Sequence, residues 1–237
     1  MLNATMLQQD LQEQQLVQML RRLQKFAVSL FWQAVPFSIN GILRHRWRIK
    51  RWPEQWKYAL PLAVVPWDKN WVAIDVGSAA SLTTYYLASQ GCTVTTIDED
   101  PELAESTRKF SQDKALPLSV IEKSPLLYEV ETNEKADWVL CICYLENITY
   151  PNQMLLCKKL ADFLKKGGIL TLIFQYGDQA PAPYAPHRQE DVQLWVEYTG
   201  LRYFDDKPFE DRGKRYPIDP WRPDREFTYG SLLLVKK

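Results

Sequence analysis

Residues 71–98 read WVAIDVGSAASLTTYYLASQGCTVTTID, and this stretch decides the fold. Residues 71–76 form a short apolar run with one acid, Asp75, near its end. Small residues follow at 77–81, then a helix-like stretch over 82–90 that Gly91 stops. A second apolar and β-branched run over 92–97 ends in Asp98. Strand, tight turn, helix, turn, strand and acid make one βαβ unit. Parallel strands joined in this way bring the first turn and the acid to the carboxyl edge of the sheet, where open α/β sheets bind ligands.

The chemistry of that edge follows from the backbone. Gly77 has no Cβ, so the chain can bend tightly there and let a ligand approach the main chain. Amide groups at the helix start face a carboxylate or a phosphate. Asp98 lies 21 residues after Gly77, about where an acid accepts hydrogen bonds from ribose hydroxyls. Asp75 can anchor an ammonium group. A nucleoside that carries both an amine and a carboxylate matches these groups better than a dinucleotide does.

The run Asp75-Val76-Gly77-Ser78-Ala79-Ala80-Ser81 resembles the cofactor turn of the class I S-adenosylmethionine (SAM) methyltransferases, acid-x-Gly-x-Gly-x-Gly. Only Gly77 of the three glycines is kept, with Ala79 and Ser81 at the other two places. Two later segments resemble the same family. Residues 136–143, ADWVLCIC, read as a strand that runs into Tyr144-Leu145-Glu146-Asn147-Ile148, with Asn147 where the family often has His. Residues 160–174, LADFLKKGGILTLIF, resemble its helix-turn-strand.

The resemblance implies an α/β, doubly wound, mostly parallel sheet of about seven strands with a helical N-terminal extension. The division expected is 1–60 for the extension and 61–237 for the methyltransferase-like domain. SAM is the implied cofactor, with Asp75, Gly77, Ser78, Ala79, Asp98 and Cys143 as the residues that bind it. The implied reaction is methyl transfer to a small-molecule or lipid-like acceptor. Glu146 and His187 are the candidate bases, each set against a structural role. Two alternatives stand beside this reading. One is a catalytically silent protein of the same fold, suggested by Ala79 and Ser81. The other is an NAD-type oxidoreductase, which the loss of turn glycines disfavours. Asp98 has no core to support on this reading, and its structural alternative is to cap the next helix.

The rest of the chain is read around this unit. Its 237 residues are 46% hydrophobic and 24% charged, with a formal net charge of zero, so no global field points to nucleic acid. The four cysteines lack paired spacing, and no signal peptide is visible, so the expected place is the cytoplasm. Leu16, Met19, Leu20, Leu23, Phe26, Ala27, Leu30, Phe31 and Ala34 recur at helical spacing, and Pro36 should end that helix. Arg44-His45-Arg46-Trp47-Arg48-Ile49-Lys50-Arg51-Trp52, with Trp56 and Lys57, interleaves bases with Trp. That pattern is a solvated face or an anionic-surface site. Residues 16–57 are therefore the place for any peripheral membrane contact. Pro61 and Pro66 mark 61–70 as a connection.

Further on, residues 152–166 read as a helix whose negative end Lys165 and Lys166 suit, followed by a strand over 169–174. Residues 187–199 read as another helix and 201–204 as a short strand. Residues 205–225, rich in proline, read as a functional loop or lid. Residues 227–235 are the last strand, antiparallel in the resembled family, where Gly230 marks a bulge or bend.

Overall fold

The computed structural model describes residues 2–39, 41–131, 135–218 and 222–237. In chain order the elements begin with β1 (Ala4–Thr5), α1 (Gln14–Trp32), β2 (Phe37–Ile39), β3 (Ile42–Arg44) and α2 (Trp52–Val64). The βαβ unit follows as β4 (Val72–Val76), α3 (Leu82–Ser89) and β5 (Thr93–Asp98), then α4 (Pro101–Lys114) and β6 (Leu118–Glu122). The remainder is β7 (Ala136–Ile142), α5 (Tyr150–Asp162), β8 (Leu164–Tyr176), α6 (Gln189–Thr199), β9 (Arg202–Tyr203) and β10 (Thr228–Val235). The chain is α/β, as expected, and divides into two compact units, residues 11–128 and residues 1–10 with 129–237.

In the unit of residues 11–128, β4, β5 and β6 are parallel neighbours, with Asp75 opposite Thr96 and Asp98 opposite Glu122. Every residue of α3 from Leu82 to Ala88 is buried, so the helix needs cover on all sides. It packs on β5 and also meets α1 and α2. The stripe Leu16, Met19, Leu23, Ala27 and Leu30 is the buried face of α1, at the spacing the sequence suggests. The edge of Phe26 meets Tyr86 with ring centroids 5.5 Å apart. Two readings of this region are corrected. Residues 52–64 are a helix, with Pro61 inside it, and not a basic run leading into a connection. Pro61 costs a helix about 3 kcal/mol, but Trp56, Tyr58, Leu60 and Leu62 are buried here. At about 1.5–3 kcal/mol for each large side chain, that burial outweighs the proline. Trp56 and Lys57 are thus core residues, and the Lys57 ammonium sits 4.9 Å from the centroid of the Tyr58 ring.

The second correction is the β2–β3 hairpin, which the sequence reading passed over. Phe37 pairs with Arg44, Ser38 with Leu43 and Ile39 with Ile42. The signal was there: Asn40-Gly41 between apolar residues is the strongest short-range mark of a hairpin.

In the unit of residues 1–10 and 129–237, the strand order is β1-β10-β8-β7, with β9 beside β10. β7 and β8 are parallel. β10 is antiparallel to β8 from Thr228 opposite Tyr176 to Val235 opposite Ile169. That register is unbroken, so Gly230 marks no bulge. A Cβ on Gly230 would lie 2.6 Å from the Phe174 ring, and this close approach is what the glycine serves. α5 ends at Asp162, four residues before the expected stop. The Phe163 carbonyl accepts from the Ala136 amide at 2.8 Å, which draws the chain into the sheet early. The four residues 165–168 then bulge between the pairs Ala136–Leu164 and Trp138–Ile169. The cation at the helix end is Lys236, whose Nζ donates to the carbonyls of Ala161 and Leu164, and not Lys165 or Lys166.

Residues 205–218 are stitched to the N-terminal strand rather than poised as a lid. The Arg212 guanidinium donates to both oxygens of buried Asp10, at 2.9 and 2.6 Å, and to the Thr5 carbonyl. Asn3 donates to Asp205 and accepts from the Leu233 amide. Pro220, read as part of the same loop, lies outside the described residues.

Candidate cofactor site

The turn after β4 is held from several directions, all within the unit of residues 11–128. Gly77 has a φ of +68°, a left-handed conformation that an L side chain resists. Its amide continues the strand pairing by donating to the Ile97 carbonyl at 2.8 Å. The left-handed step turns the chain so that the Ala79 amide donates to Asp98 Oδ2 at 3.0 Å. Ala80 is itself left-handed, with φ +58°. Its amide donates to Thr107 Oγ1 on α4 at 2.7 Å, and its carbonyl accepts from the Ser38 amide on β2, also at 2.7 Å. Ser81 caps α3, its hydroxyl accepting from the Thr84 amide at 3.1 Å.

Asp75 is fully buried, at 0% exposure, with the Thr84 hydroxyl 2.5 Å from Oδ2. Burial pushes this carboxyl up to about 7, although the hydroxyls of Thr84, Ser78 and Ser81 oppose the rise. Its other oxygen, Oδ1, has no hydrogen-bond partner. Asp98 is 6% exposed. Oδ2 holds the Ala79 amide, and Oδ1 accepts from the Asp100 amide at 3.0 Å. Burial raises its carboxyl too, against the pull of those two amides. Asp98 therefore braces the turn, a task the sequence reading did not give it. The helix cap is Asp100, whose carboxylate accepts from the amides of Glu102 and Leu103.

The structure brings Asp75, Gly77, Ser78, Ala79 and Asp98 together around one turn. Three further supports were missed: Ser38, Thr84 and Thr107. Ser38 lies on the strand that the Asn40-Gly41 signal marks. The two threonines carry none, because their task depends on where α3 and α4 fall.

Cys143, Glu146 and His187 lie in the unit of residues 1–10 and 129–237. Cys143 closes β7 in a left-handed conformation, φ +54°, and its amide donates to the Ile173 carbonyl at 2.7 Å. Glu146 is fully buried; Oε1 accepts from the Gln175 amide at 2.9 Å, and its own carbonyl accepts from the Tyr184 amide at 3.1 Å. It thereby ties the end of β8 to the loop that follows. His187 stands just before α6 with its ring partly exposed and Nδ1 3.7 Å from Asp191 Oδ2. Asp191 also accepts from the His187 and Arg188 amides, which closes the start of the helix.

The acceptors around the turn suit SAM. The unpartnered Asp75 oxygen offers a buried acceptor to an amine. Asp98 has about four lone-pair sites, of which the two amides use two, so hydroxyl donors can still be accepted. Gly77, of intermediate burial, puts no side chain beside the backbone of the turn.

Residues 74–172 match a family model described as "Methyltransferase domain". No curated protein matches the sequence. Among solved structures, the chain is similar to magnesium protoporphyrin IX methyltransferase from Synechocystis PCC 6803, solved with bound SAM. Identity there is 13% and the TM-score 0.53, over 94% of this chain and 84% of that one. A TehB-like SAM-dependent methyltransferase from Corynebacterium glutamicum is 17% identical, with a TM-score of 0.54 over 76% and 87% of the two chains. The 1,6-didemethyltoxoflavin-N1-methyltransferase of Burkholderia thailandensis, solved with its substrate and S-adenosylhomocysteine, is 14% identical. Its TM-score is 0.51, over 70% and 72%. Residues 74–172 thus resemble a methyltransferase domain, and the chain shares its fold with SAM-dependent methyltransferases.

Proposed function

We propose that the chain moves the methyl group of SAM to a small-molecule or lipid-like acceptor. The observation that carries the proposal is the pair of buried acids at one turn, Asp75 with an unpartnered oxygen and Asp98 with lone pairs to spare. Bound there, SAM supplies an electrophilic methyl on a sulfonium. Asp75 would face the amine, Asp98 the ribose hydroxyls, and Gly77, Ser78 and Ala79 the backbone of the cradle. Cys143 belongs to the same proposal as a further cofactor contact. Positioning and exclusion of water supply much of the rate in such a displacement. Of the two candidate bases, Glu146 is already committed to the Gln175 amide, which leaves His187 the one with a partly exposed ring.

Structural neighbours named for 1,6-didemethyltoxoflavin and magnesium protoporphyrin IX support a small-molecule acceptor. Among the described residues no helix is long and apolar enough to cross a membrane. A peripheral membrane contact through residues 16–57 completes the proposal, since it would bring a lipid-like acceptor to the enzyme. The silent-module reading draws on a different observation: the Ala79 amide is spent on Asp98 instead of facing a ligand. The test is transfer of labelled methyl from SAM into an extract of metabolites and lipids. Label in a small-molecule or lipid fraction is expected. SAM binding with no label in either fraction would favour the silent module.

A further inference from the structure

Residues 14–53 hold eight Lys or Arg and no Asp or Glu, in a chain whose total charge is zero. The structure gathers most of these bases on one surface. The segment after β3 is pinned to α1 at two points. His45 stacks on Phe31 with ring centroids 4.5 Å apart, and its Nε2 is 2.9 Å from the Phe31 carbonyl. Gln24 donates to the Trp47 carbonyl at 2.8 Å and accepts from the Ile49 amide at 3.3 Å. The two anchor points, Gln24 and Phe31, are seven residues apart, which is about 10 Å along a helix. Arg44, Arg46, Arg48 and Lys50 therefore run beside α1 between Gln24 and Phe31, and α1 adds exposed Arg21 and Lys25 near the Gln24 end. Among the described residues none of these six is in an ion pair.

Apolar side chains stand among them. Trp32 is 80% exposed, Ile42 52% and Trp47 47%. Three of the nine large hydrophobic residues that the described surface exposes thus fall within residues 32–47. A merely solvated basic face has no use for them. Arginine beside exposed Trp and Ile is the composition of a surface that meets a bilayer, with indoles at headgroup depth and bases among anionic headgroups.

Resting on the reading of residues 16–57 as membrane-facing, we infer that β3, Trp32 and the 44–50 segment dock on an anionic lipid bilayer. The inserted groups are Trp32, Ile42 and Trp47, and the headgroup contacts are Arg44, Arg46, Arg48 and Lys50. The apolar stripe of α1 takes no part, because it is buried in the protein. A single-stranded nucleic acid is the weaker occupant. It would need several open aromatic faces for successive bases, yet of Phe31, Trp32 and Trp47 only Trp32 is left open, because the Arg48 guanidinium covers Trp47 at 4.4 Å and His45 covers Phe31. Ile42 offers nothing to stack on.

The experiment is co-sedimentation of the full chain with phosphatidylcholine vesicles, with and without about one-third phosphatidylserine, at roughly 0.1 and 1 M salt. Binding is expected to the anionic vesicles, strongest at low salt. Each basic side chain near the surface is worth roughly five-fold, so Arg44→Ala/Arg46→Ala/Arg48→Ala should weaken binding roughly 100-fold. Trp32→Ser should weaken it at both salts, since apolar insertion is not screened. Failure to bind anionic vesicles, equal binding to neutral ones, or displacement by an oligonucleotide at lower concentration than by free vesicles would overturn the inference. SAM affinity, measured on the same variants, should be unchanged. A wild-type chain that bound vesicles but not SAM would count against the methyltransferase reading alone.

Discussion

At Asp75 a carboxyl group gives up solvent for hydroxyl partners that satisfy one oxygen and leave the other empty. The folded chain therefore holds this proton between the ordinary value of 3.8 and about 7, where the unfolded chain has lost it. The folded state binds more protons in that window, so stability is fullest at its acid end and falls as pH rises through it. The slope is at most about 1.4 kcal/mol per pH unit for one proton. Asp75→Asn, neutral at every pH, should remove that slope and gain on the wild type toward pH 8. Denaturant melts of both proteins from pH 4 to pH 8 check this, and an unchanged slope in the variant would place the titration elsewhere. Asp98 and Asp100 show how much a single residue hides from the sequence. Both are acids at the end of β5, and either reads as a helix cap. The left-handed Gly77 turns the Ala79 amide toward Asp98, which leaves the capping to Asp100.

At the scale of the element, the βαβ unit was legible because apolar runs, a small-residue turn and an acid coincide in 28 residues. Strand and helix there agree with the boundaries read from sequence to within about two residues. α2 was not legible. It is apolar nearly all round, carries two prolines, and mixes Trp with bases, so its periodicity is lost and its composition mimics a surface. The end of α5 was hidden for a different reason. Lys165 and Lys166 continue the helical pattern, while the sheet takes the chain at Phe163. β2 is the element whose role can be tested most cleanly. Its link to the turn is a parallel bridge between Ser38 and Ser81, in which the Ser38 amide donates to the Ala80 carbonyl. Ser38→Pro removes that donor and leaves a buried carbonyl unsatisfied, a loss of about 1–3 kcal/mol, and SAM affinity should fall with it. Ser38→Ala keeps the amide and should behave as the wild type in both thermal melting and SAM titration. Equal effects from the two variants would mean that the hydroxyl, not the strand pairing, matters.

At the scale of the whole molecule, the sequence made the α/β class and the cofactor turn legible, because both rest on local pattern. The supports of the turn were not, because Ser38 and Thr107 come from segments 39 residues before and 30 after Gly77. The same distance hid the use of the N-terminal strand, which pairs with β10 near the other end of the chain. The central claim is that this turn binds SAM. Calorimetric titration of SAM into the wild type, Asp98→Asn and Asp98→Ala tests it most directly. Hydrogen bonds to a charged group are worth about 1.5–3 kcal/mol, so Asp98→Ala, corrected for folded fraction, should bind roughly 10- to 100-fold more weakly. Asp98→Asn, which still accepts, should fall between the two. Saturable heat from the wild type with that order of affinities is the predicted result; no heat from the wild type, or equal affinity in all three, would contradict the account.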